Sequence, residues 1–225
     1  KDACVLFDIN LKLDRGKTYA LVGPTGGGKT TTASLIARLY DPTNGQILLN
    51  GQDMVSLTEN DRSEKIGFIL QDPFLFSGTI KDNLIYGNGK LQNVSSDELV
   101  KIITDAGLET LLKKLDGNLE KVISANGDDI SLGQKQLIAF MRAVLRKPDV
   151  LILDEATANI DTVTEQLLDK ILKKLPSTTT KIIIAHRLNT IEHADSIFFI
   201  SNGKIIEAGS IKNALKLIMN VGHKK

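Results

Sequence analysis

One glycine-rich loop constrains this chain more than any other stretch. It has the sequence Gly23-Pro24-Thr25-Gly26-Gly27-Gly28-Lys29-Thr30-Thr31. The apolar run before it, residues 19–22, predicts a buried strand, and residues 33–39 after it predict a helix with an apolar face. The chain therefore places a tight glycine turn between a strand and the start of a helix.

The loop matches the phosphate-binding pattern G-x-x-x-x-G-K-[ST] over residues 23–30. Glycines bring backbone N–H groups against phosphate oxygens, because no Cβ stands in the way. Lys29 can reach the β- and γ-phosphates, and the Thr30 hydroxyl can bind Mg²⁺. The helix that opens at Lys29 also points its positive dipole end at the anion. The alternative is a glycine-rich turn with a surface lysine, which the flanking strand and helix disfavour.

The amino-acid composition argues against several classes of protein. Lys and Arg total 28 against 27 for Asp and Glu, so no overall basic field suggests nucleic acid as the main partner. No apolar run approaches the ~20 residues of a membrane span, and we expect this piece to be soluble. A single cysteine, Cys4, excludes an internal disulfide framework and fits a reducing compartment, and no secretory signal is visible.

Strands and helices alternate along most of the chain, which predicts a mainly parallel sheet. Residues 5–13 predict one or two short strands, and residues 46–51 predict another. Short helices dominate from 73 to 147, which predicts a helical subdomain inserted into a core of 1–72 and 148–225. The later core elements are predicted as strands at 150–153, 181–185, 196–201 and 204–207, and helices at 162–175 and 188–193.

Two carboxylates, Asp154 and Glu155, follow an apolar run at the carboxyl end of a predicted buried strand. Ligands of α/β sheets bind at such ends. Asp154 is a candidate for holding Mg²⁺ through water, and Glu155 for orienting or deprotonating an attacking water. An acidic pair at a strand end is often only a solvated exit, but a phosphate loop in the same chain favours the functional interpretation.

A second anion site is indicated where Ser131-Leu132-Gly133-Gln134 opens a predicted amphipathic helix. Its N-terminus presents a small hydroxyl and a glycine N–H at the positive dipole end, although Ser131 taken alone is better explained as only an N-cap. His186 ends another predicted strand and is a candidate for contacting the γ-phosphate and fixing the catalytic water. Gln71 also follows a strand, and for both residues a structural role is the alternative.

Together these segments resemble, in order and approximate spacing, the ATP-binding domain of ABC transporters, over nearly the whole chain. The resemblance is carried by residues 23–31, Gln71, 130–134, 151–155, 158–161 and His186. Residues 71–80 and 154–157 resemble the exporter branch, in which the ATPase is usually fused behind a transmembrane domain. The implied fold is one α/β domain over 1–225. It has a P-loop NTPase (RecA-like) core with a mainly parallel sheet, an N-terminal antiparallel β portion and an inserted α-helical subdomain.

The resemblance implies that this domain and a second nucleotide-binding domain stack head to tail around two ATP molecules with Mg²⁺. One protomer is expected to supply Lys29, Thr30, Gln71, Asp154, Glu155 and His186, and the other Ser131, Gly133 and Gln134, with Asp161 along the dimer seam. Thr30, Gln71 and Asp154 are the implied metal ligands. The implied function is ATP hydrolysis that powers export, at the cytoplasmic face of the membrane and in contact with a transmembrane domain.

Departures from the family pattern leave alternatives open. Leu132 stands where glycine is more common, and Ala125 where exporters often carry an acidic residue. A catalytically impaired half of a heterodimeric transporter is therefore the alternative function. A DNA-repair or chromosome ATPase is a third possibility, but those proteins need a very long coiled-coil insertion or extra DNA-binding domains, and short helices are predicted between Gln71 and Ser131. Gly27 stands where the family often has a side chain, and we expect a slightly more flexible loop with unchanged contacts.

Overall fold

Strands and helices alternate in the computed structural model, which describes residues 4–124, 129–154, 161–184 and 191–222. The strands are β1 (Thr18–Val22), β2 (Leu48–Leu49), β3 (Gln52–Asp53), β4 (Ile66–Ile69), β5 (Gly78–Thr79), β6 (Val122–Ile123), β7 (Val150–Asp154), β8 (Thr180–Ile184), β9 (Ser196–Ser201) and β10 (Lys204–Glu207). The helices are α1 (Lys29–Ile36), α2 (Glu59–Lys65), α3 (Ile80–Ile85), α4 (Ser96–Asp105), α5 (Glu109–Lys114), α6 (Leu132–Leu145), α7 (Thr162–Lys174) and α8 (Ile211–Gly222). The predicted α/β class is confirmed.

The described residues form two compact units. Unit 1 contains residues 4–58, 149–154, 177–184 and 191–222, and unit 2 contains residues 59–124, 129–148 and 161–176. The predicted boundaries of the helical subdomain, 73–147, stay a prediction.

The sheet of unit 1 is mainly parallel, as predicted. Its strands lie in the order β10, β9, β1, β8, β7, and all neighbours are parallel except β9 and β10. Helix α1 packs against β7 and β8, and helix α8 packs against β9. Every residue of β7 is buried. Its run of apolar branched side chains is what a parallel strand covered on both faces requires.

The pair Asn202-Gly203 forms the turn between the two strands predicted at 196–201 and 204–207. Both residues have positive φ, 50° and 72°, which a two-residue type I′ hairpin turn needs. The antiparallel pairing of β9 with β10 follows from this turn.

The strands predicted within residues 5–13 are absent from the described residues 4–17, so that prediction is wrong. Asp8 has a φ of 49°, which interrupts the extended backbone of this segment. One backbone bond, from Phe7 N–H to Gly203 O at 2.9 Å, joins the segment to the hairpin turn. The antiparallel part of the N-terminal region is instead the short pair of β2 and β3.

Helix α8 was not predicted from the sequence, although it packs on the core of unit 1. Ile211, Ala214 and Leu217 lie on one side of the helix, at helical spacing. They contact a buried cluster that includes Phe199 of β9 and Val22 of β1. The helix therefore covers the face of the sheet beneath β1 and β9.

Helix α6 is the centre of unit 2. It contacts α3, α5 and β4, and nearly all of its residues from 136 to 145 are buried. Two helices of this unit begin with capping boxes. Thr79 and Asp82 form the capping box of α3, and Ser95 and Glu98 form that of α4. In the first box the N–H and hydroxyl of Thr79 lower the pKa of Asp82 by stabilising its carboxylate.

A fully buried amide, Asn83 of α3, joins the segment after Gln71 to α6. Its Nδ2 donates to the carbonyls of Phe76 and Thr79 at 2.9 and 3.1 Å. Its Oδ1 accepts from Phe76 N–H at 2.9 Å and from Nη2 of Arg142 at 3.1 Å. Every polar atom of the amide therefore has a partner, which makes the network costly to break.

We predict that Asn83→Ala lowers the free energy of unfolding by about 2–4 kcal/mol, because it strands several buried or half-buried polar groups. Urea denaturation of the variant and of the unchanged chain measures the difference. The control is Asn93→Ala at an exposed position, where a change within about 0.5 kcal/mol is expected. Equal losses in the two variants would contradict the prediction.

Candidate functional site

The glycine loop of residues 23–31 lies directly against β9. A Cβ on Gly23 would stand 2.0 Å from the carbonyl oxygen of Ile200, and Gly23 has a φ of 143°. The loop is joined to the hairpin turn as well, because Gly203 N–H donates to Gly27 O at 3.2 Å. Glycine at position 23 is thus required both by the backbone angle and by the close approach of two backbones.

Gly27 also contributes to this close packing. A Cβ there would lie 2.7 Å from Ile200 O and 3.0 Å from Pro24 O, so a side chain requires the loop to shift. The predicted gain in loop flexibility stays a prediction.

Lys29, the first residue of α1, folds its side chain back over the loop. Its Nζ donates to the carbonyls of Gly23 and Pro24 at 2.9 and 3.0 Å, and the residue is 6% exposed. These bonds fix a positive charge inside the curve of the loop. An ammonium held in this way is suited to an anion that enters the same curve.

The N-terminus of α1 has no side-chain cap. Gly28 occupies the N-cap position with a φ of 112°, and no acidic residue lies in the first turn. The first N–H groups of a helix have no partner within the helix, and the helix dipole adds positive potential there. Exposed Thr30 and half-buried Thr31 lie in this same turn. The arrangement fits a phosphate group.

Asp154 lies at the same edge of the sheet as the loop. It pairs in register with Ile184 of β8, which on its other side pairs with Leu21 of β1. Asp154 is therefore in register with Leu21, which lies two residues before Gly23. Strand β8 lies between them, so they are two strand spacings apart, or about 10 Å. Asp154 is 6% exposed. The parallel register thus brings together a carboxylate and the phosphate-type loop predicted from the sequence.

Unit 2 carries other predicted site residues. Gln71 is exposed two residues after β4, and its carbonyl accepts a hydrogen bond from Nε2 of Gln136 at 3.2 Å. Ser131 is the N-cap of α6: its Oγ accepts from Gln134 N–H at 3.2 Å, and its N–H donates to Gln134 Oε1 at 3.1 Å. The capping role of Ser131, weighed as an alternative above, is present. Ser131 is exposed and Gly133 half-buried.

Asp161 is the N-cap of α7. Its Oδ1 accepts from Thr164 N–H at 3.0 Å, its Oδ2 accepts from the Thr164 hydroxyl, and Lys114 forms an ion pair with it at 3.8 Å. The hydrogen bonds from the Thr164 hydroxyl and N–H lower the pKa of Asp161. The carboxylate thus begins a helix and is ionised near neutral pH.

Three residues singled out from the sequence, Ala125, Glu155 and His186, lie outside the described residues. Glu155 directly follows Asp154, and His186 comes two residues after the end of β8.

Gln136 was missed by sequence reasoning, although it bonds to the backbone of Gln71. A signal was available, because an amide interrupts the otherwise apolar side of α6. Its bonding partner lies 65 residues earlier in the chain, so the sequence did not show what that amide does.

No group of three or more His, Cys, Asp or Glu residues that could hold a metal ion occurs among the described residues. Within those same residues, no helix combines the length and apolar character needed to cross a membrane.

Comparisons with known proteins agree with this geometry. A family model described as ABC transporter matches residues 6–158. The chain is 47% identical over 195 residues to the ABC transporter ATP-binding protein YfiC of Bacillus subtilis, covering 87% of the chain and 32% of that protein. It is 40% identical over 206 residues to a fatty acid ABC transporter ATP-binding/permease protein of Mycobacterium tuberculosis, covering 92% and 32%. The chain thus spans about a third of the length of these relatives.

Solved structures give the same result. A bacterial Atm1-family ABC exporter with ATP bound superposes with a TM-score of 0.81 at 34% sequence identity, covering 97% of this chain and 37% of that one.

We predict that Gly23→Ala lowers the free energy of unfolding by at least ~2 kcal/mol, because its Cβ collides with a backbone oxygen that cannot move cheaply. Gly26→Ala is the matched control. It also has a positive φ, 76°, but this lies near the left-handed region that L-residues can reach, and a Cβ there meets nothing within 4 Å, so a loss of ~1 kcal/mol is expected. Urea denaturation compares the two, and an equal loss would show that the contact with Ile200 is unimportant.

Proposed function

Since this chain belongs to the ABC transporter family as an ATP-binding domain, we propose that it hydrolyses ATP to power an exporter. The observation that carries the proposal is the sheet edge of unit 1. At that edge the loop after β1 leads to Lys29 and to the N-terminus of α1, which has no side-chain cap. The carboxylate of Asp154 ends the parallel strand β7 at the same edge. The similarity to an exporter described with ATP bound supports ATP as the nucleotide.

The loop binds the phosphates in this proposal. Backbone N–H groups of the loop and the Lys29 ammonium, which is bonded to two loop carbonyls, neutralise the β- and γ-phosphates. Phosphoryl transfer needs little covalent chemistry from protein groups. Positioning and charge neutralisation are therefore the main work of the loop.

The proposed metal is Mg²⁺, held by Thr30, Asp154 and Gln71. A hydroxyl, a carboxylate and an amide are hard oxygen donors of the kind that Mg²⁺ accepts, with water and phosphate oxygens as its other ligands. When bound, the ion would neutralise developing charge on the phosphate oxygens.

Glu155 is the proposed general base, and His186 and Gln71 position the attacking water. Support comes from their places in the chain, since Glu155 follows the buried Asp154 and His186 follows β8. Carboxyl ends of neighbouring parallel strands meet at one edge of a sheet, so both residues follow strands that end beside the loop.

The second half of the site is proposed to come from another nucleotide-binding domain. Ser131, Gly133 and Gln134 would contact the γ-phosphate or the nucleotide of the partner, and Asp161 would lie along the seam. The N-terminus of the 14-residue helix α6 supports this role, because Ser131 is exposed and the helix has no acidic residue in its first turn. ATP then joins two protomers head to tail.

A transmembrane domain is the other proposed partner, which would place the chain at the cytoplasmic face of a membrane. The name ATP-binding/permease protein of one relative and the chain's coverage of about a third of that relative support this proposal.

We predict that Lys29→Ala reduces ATP affinity at least ~tenfold, because a charge-assisted contact to phosphate is lost. Isothermal titration of the variant and of the unchanged chain with ATP measures this. Lys12→Ala, which removes a side chain that is 91% exposed, serves as the control and should bind ATP normally. Normal binding by the Lys29 variant would count against the role of the loop.

We predict that Glu155→Gln keeps ATP affinity but lowers turnover at least ~100-fold, because the general base is lost. An ATP-bound dimer should then accumulate and be visible by light scattering. Glu109→Gln, at an exposed ion pair, is the control. If the unchanged chain were as slow as the Glu155 variant, the catalytically impaired half of a heterodimer would become the better assignment.

A further inference from the structure

Gln136 is a buried polar side chain in the middle of an apolar helix. It is 1% exposed, and the residues that follow it along α6 are almost all apolar and buried. Its Nε2 donates to the backbone carbonyl of Gln71 at 3.2 Å. Only the nitrogen of the amide can pair with a carbonyl, so this contact also fixes the orientation of the amide.

The oxygen end of the same amide is also buried. Oε1 of Gln136 is buried and has no hydrogen-bond partner among the residues that the structure describes. A buried acceptor without a partner costs free energy that an apolar side chain of the same shape would not cost. Met or Leu at this position would therefore pack at least as well.

The segment after Gln71 is held to the same helix at a second point. Arg142 donates from Nη1 to the carbonyl of Phe74 at 3.2 Å and from Nε to the carbonyl of Asn83 at 2.7 Å. Burial lowers the pKa of Arg142 to about 10, so the guanidinium stays charged near neutral pH. Two long polar side chains of α6 thus bind backbone carbonyls at positions 71 and 74.

We propose that Gln136 is a positioning residue that holds the backbone of Gln71 to α6, so that Gln71 and Ser131 move as parts of one body. The inference rests on the proposed function, in which Gln71 serves the nucleotide of its own protomer and Ser131 that of the partner. In this proposal the side chain of Gln71 serves Mg²⁺ and the attacking water, while Gln136 holds its carbonyl.

Three variants of the full chain test this role. Gln136→Met removes the donor and keeps the length of the side chain. Gln136→Glu replaces the donor by a carboxylate that, when ionised, can only accept hydrogen bonds. Asn88→Ala is the matched control, because buried Asn88 also binds α6, through Nδ2 to the carbonyl of Leu145 at 3.3 Å, at the helix end far from Gln71.

For Gln136→Met we expect kcat to fall about three- to tenfold, which is the effect of one lost hydrogen bond in the transition state. The Mg²⁺ concentration for half-maximal rate should rise, while the apparent KM for ATP stays within about twofold and the melting temperature does not fall. Asn88→Ala should show the reverse pattern, a lower melting temperature with kcat unchanged. A merely structural role for Gln136 would lower stability and leave kcat per folded molecule unchanged.

Gln136→Glu should recover activity on acidification. Burial raises the pKa of the introduced carboxyl group, and its protonated form has an O–H that can donate to the Gln71 carbonyl. The ratio of kcat for this variant to kcat for the unchanged chain should therefore rise as the pH falls from about 8 to about 6. A flat ratio would contradict the hydrogen bond as the cause.

Amide hydrogen exchange tests the contact between Gln136 and the backbone of Gln71 without any measurement of ATP hydrolysis. Amides of residues 72–77 should exchange faster in Gln136→Met than in the unchanged chain, while those of α6 remain as protected as before. If the unchanged chain hydrolysed no ATP, the proposed function would fail, and the exchange result would still decide whether Gln136 holds this segment. Wild-type kcat, Mg²⁺ response and exchange in Gln136→Met would overturn the inference.

Discussion

The parallel register of β1, β8 and β7 is the constraint on which the candidate site depends. It places the loop after β1 and the carboxylate that ends β7 at one edge of the sheet, although they are about 130 residues apart in sequence. The loop can follow that edge only because Gly23 lets its backbone approach Ile200. The helix end that carries Lys29 and the carboxylate of Asp154 therefore lie at the same edge of the sheet.

Unit 2 depends on a different interaction, the binding of backbone carbonyls by polar side chains of α6. Burying an amide or a guanidinium among apolar side chains costs free energy unless the group is hydrogen-bonded. Gln136 and Arg142 donate their hydrogen bonds to backbone carbonyls of the segment from 71 to 83. These hydrogen bonds hold an irregular segment to a regular helix. In the proposed function this gives the helix that begins at Ser131 a direct connection to the residue beside the metal ion.

Sequence patterns predicted most elements well where one local rule decided the outcome. The strands predicted at 196–201 and 204–207 are of this kind, because the Asn-Gly pair between them favours a tight hairpin turn. The strands predicted within residues 5–13 do not form. An alternating apolar pattern does not by itself supply a neighbouring strand to pair with, and the positive φ of Asp8 interrupts the extended backbone. Helix α8 was overlooked, although its apolar spacing fits the cluster around Phe199.

The local chemistry could be predicted from the amino-acid sequence: a glycine turn ahead of a lysine, a carboxylate after a buried strand, and a hydroxyl at the start of a helix. Those features need only neighbouring residues, so spacing was enough to predict them. The tertiary structure alone decided which distant backbone groups the polar side chains bind, as with Gln136 and the carbonyl of Gln71. Every residue has the same backbone carbonyl, so the side chain of Gln71 gives no sign that its carbonyl will be the acceptor. Only the fold, by bringing Gln71 and Gln136 together, decides this pairing.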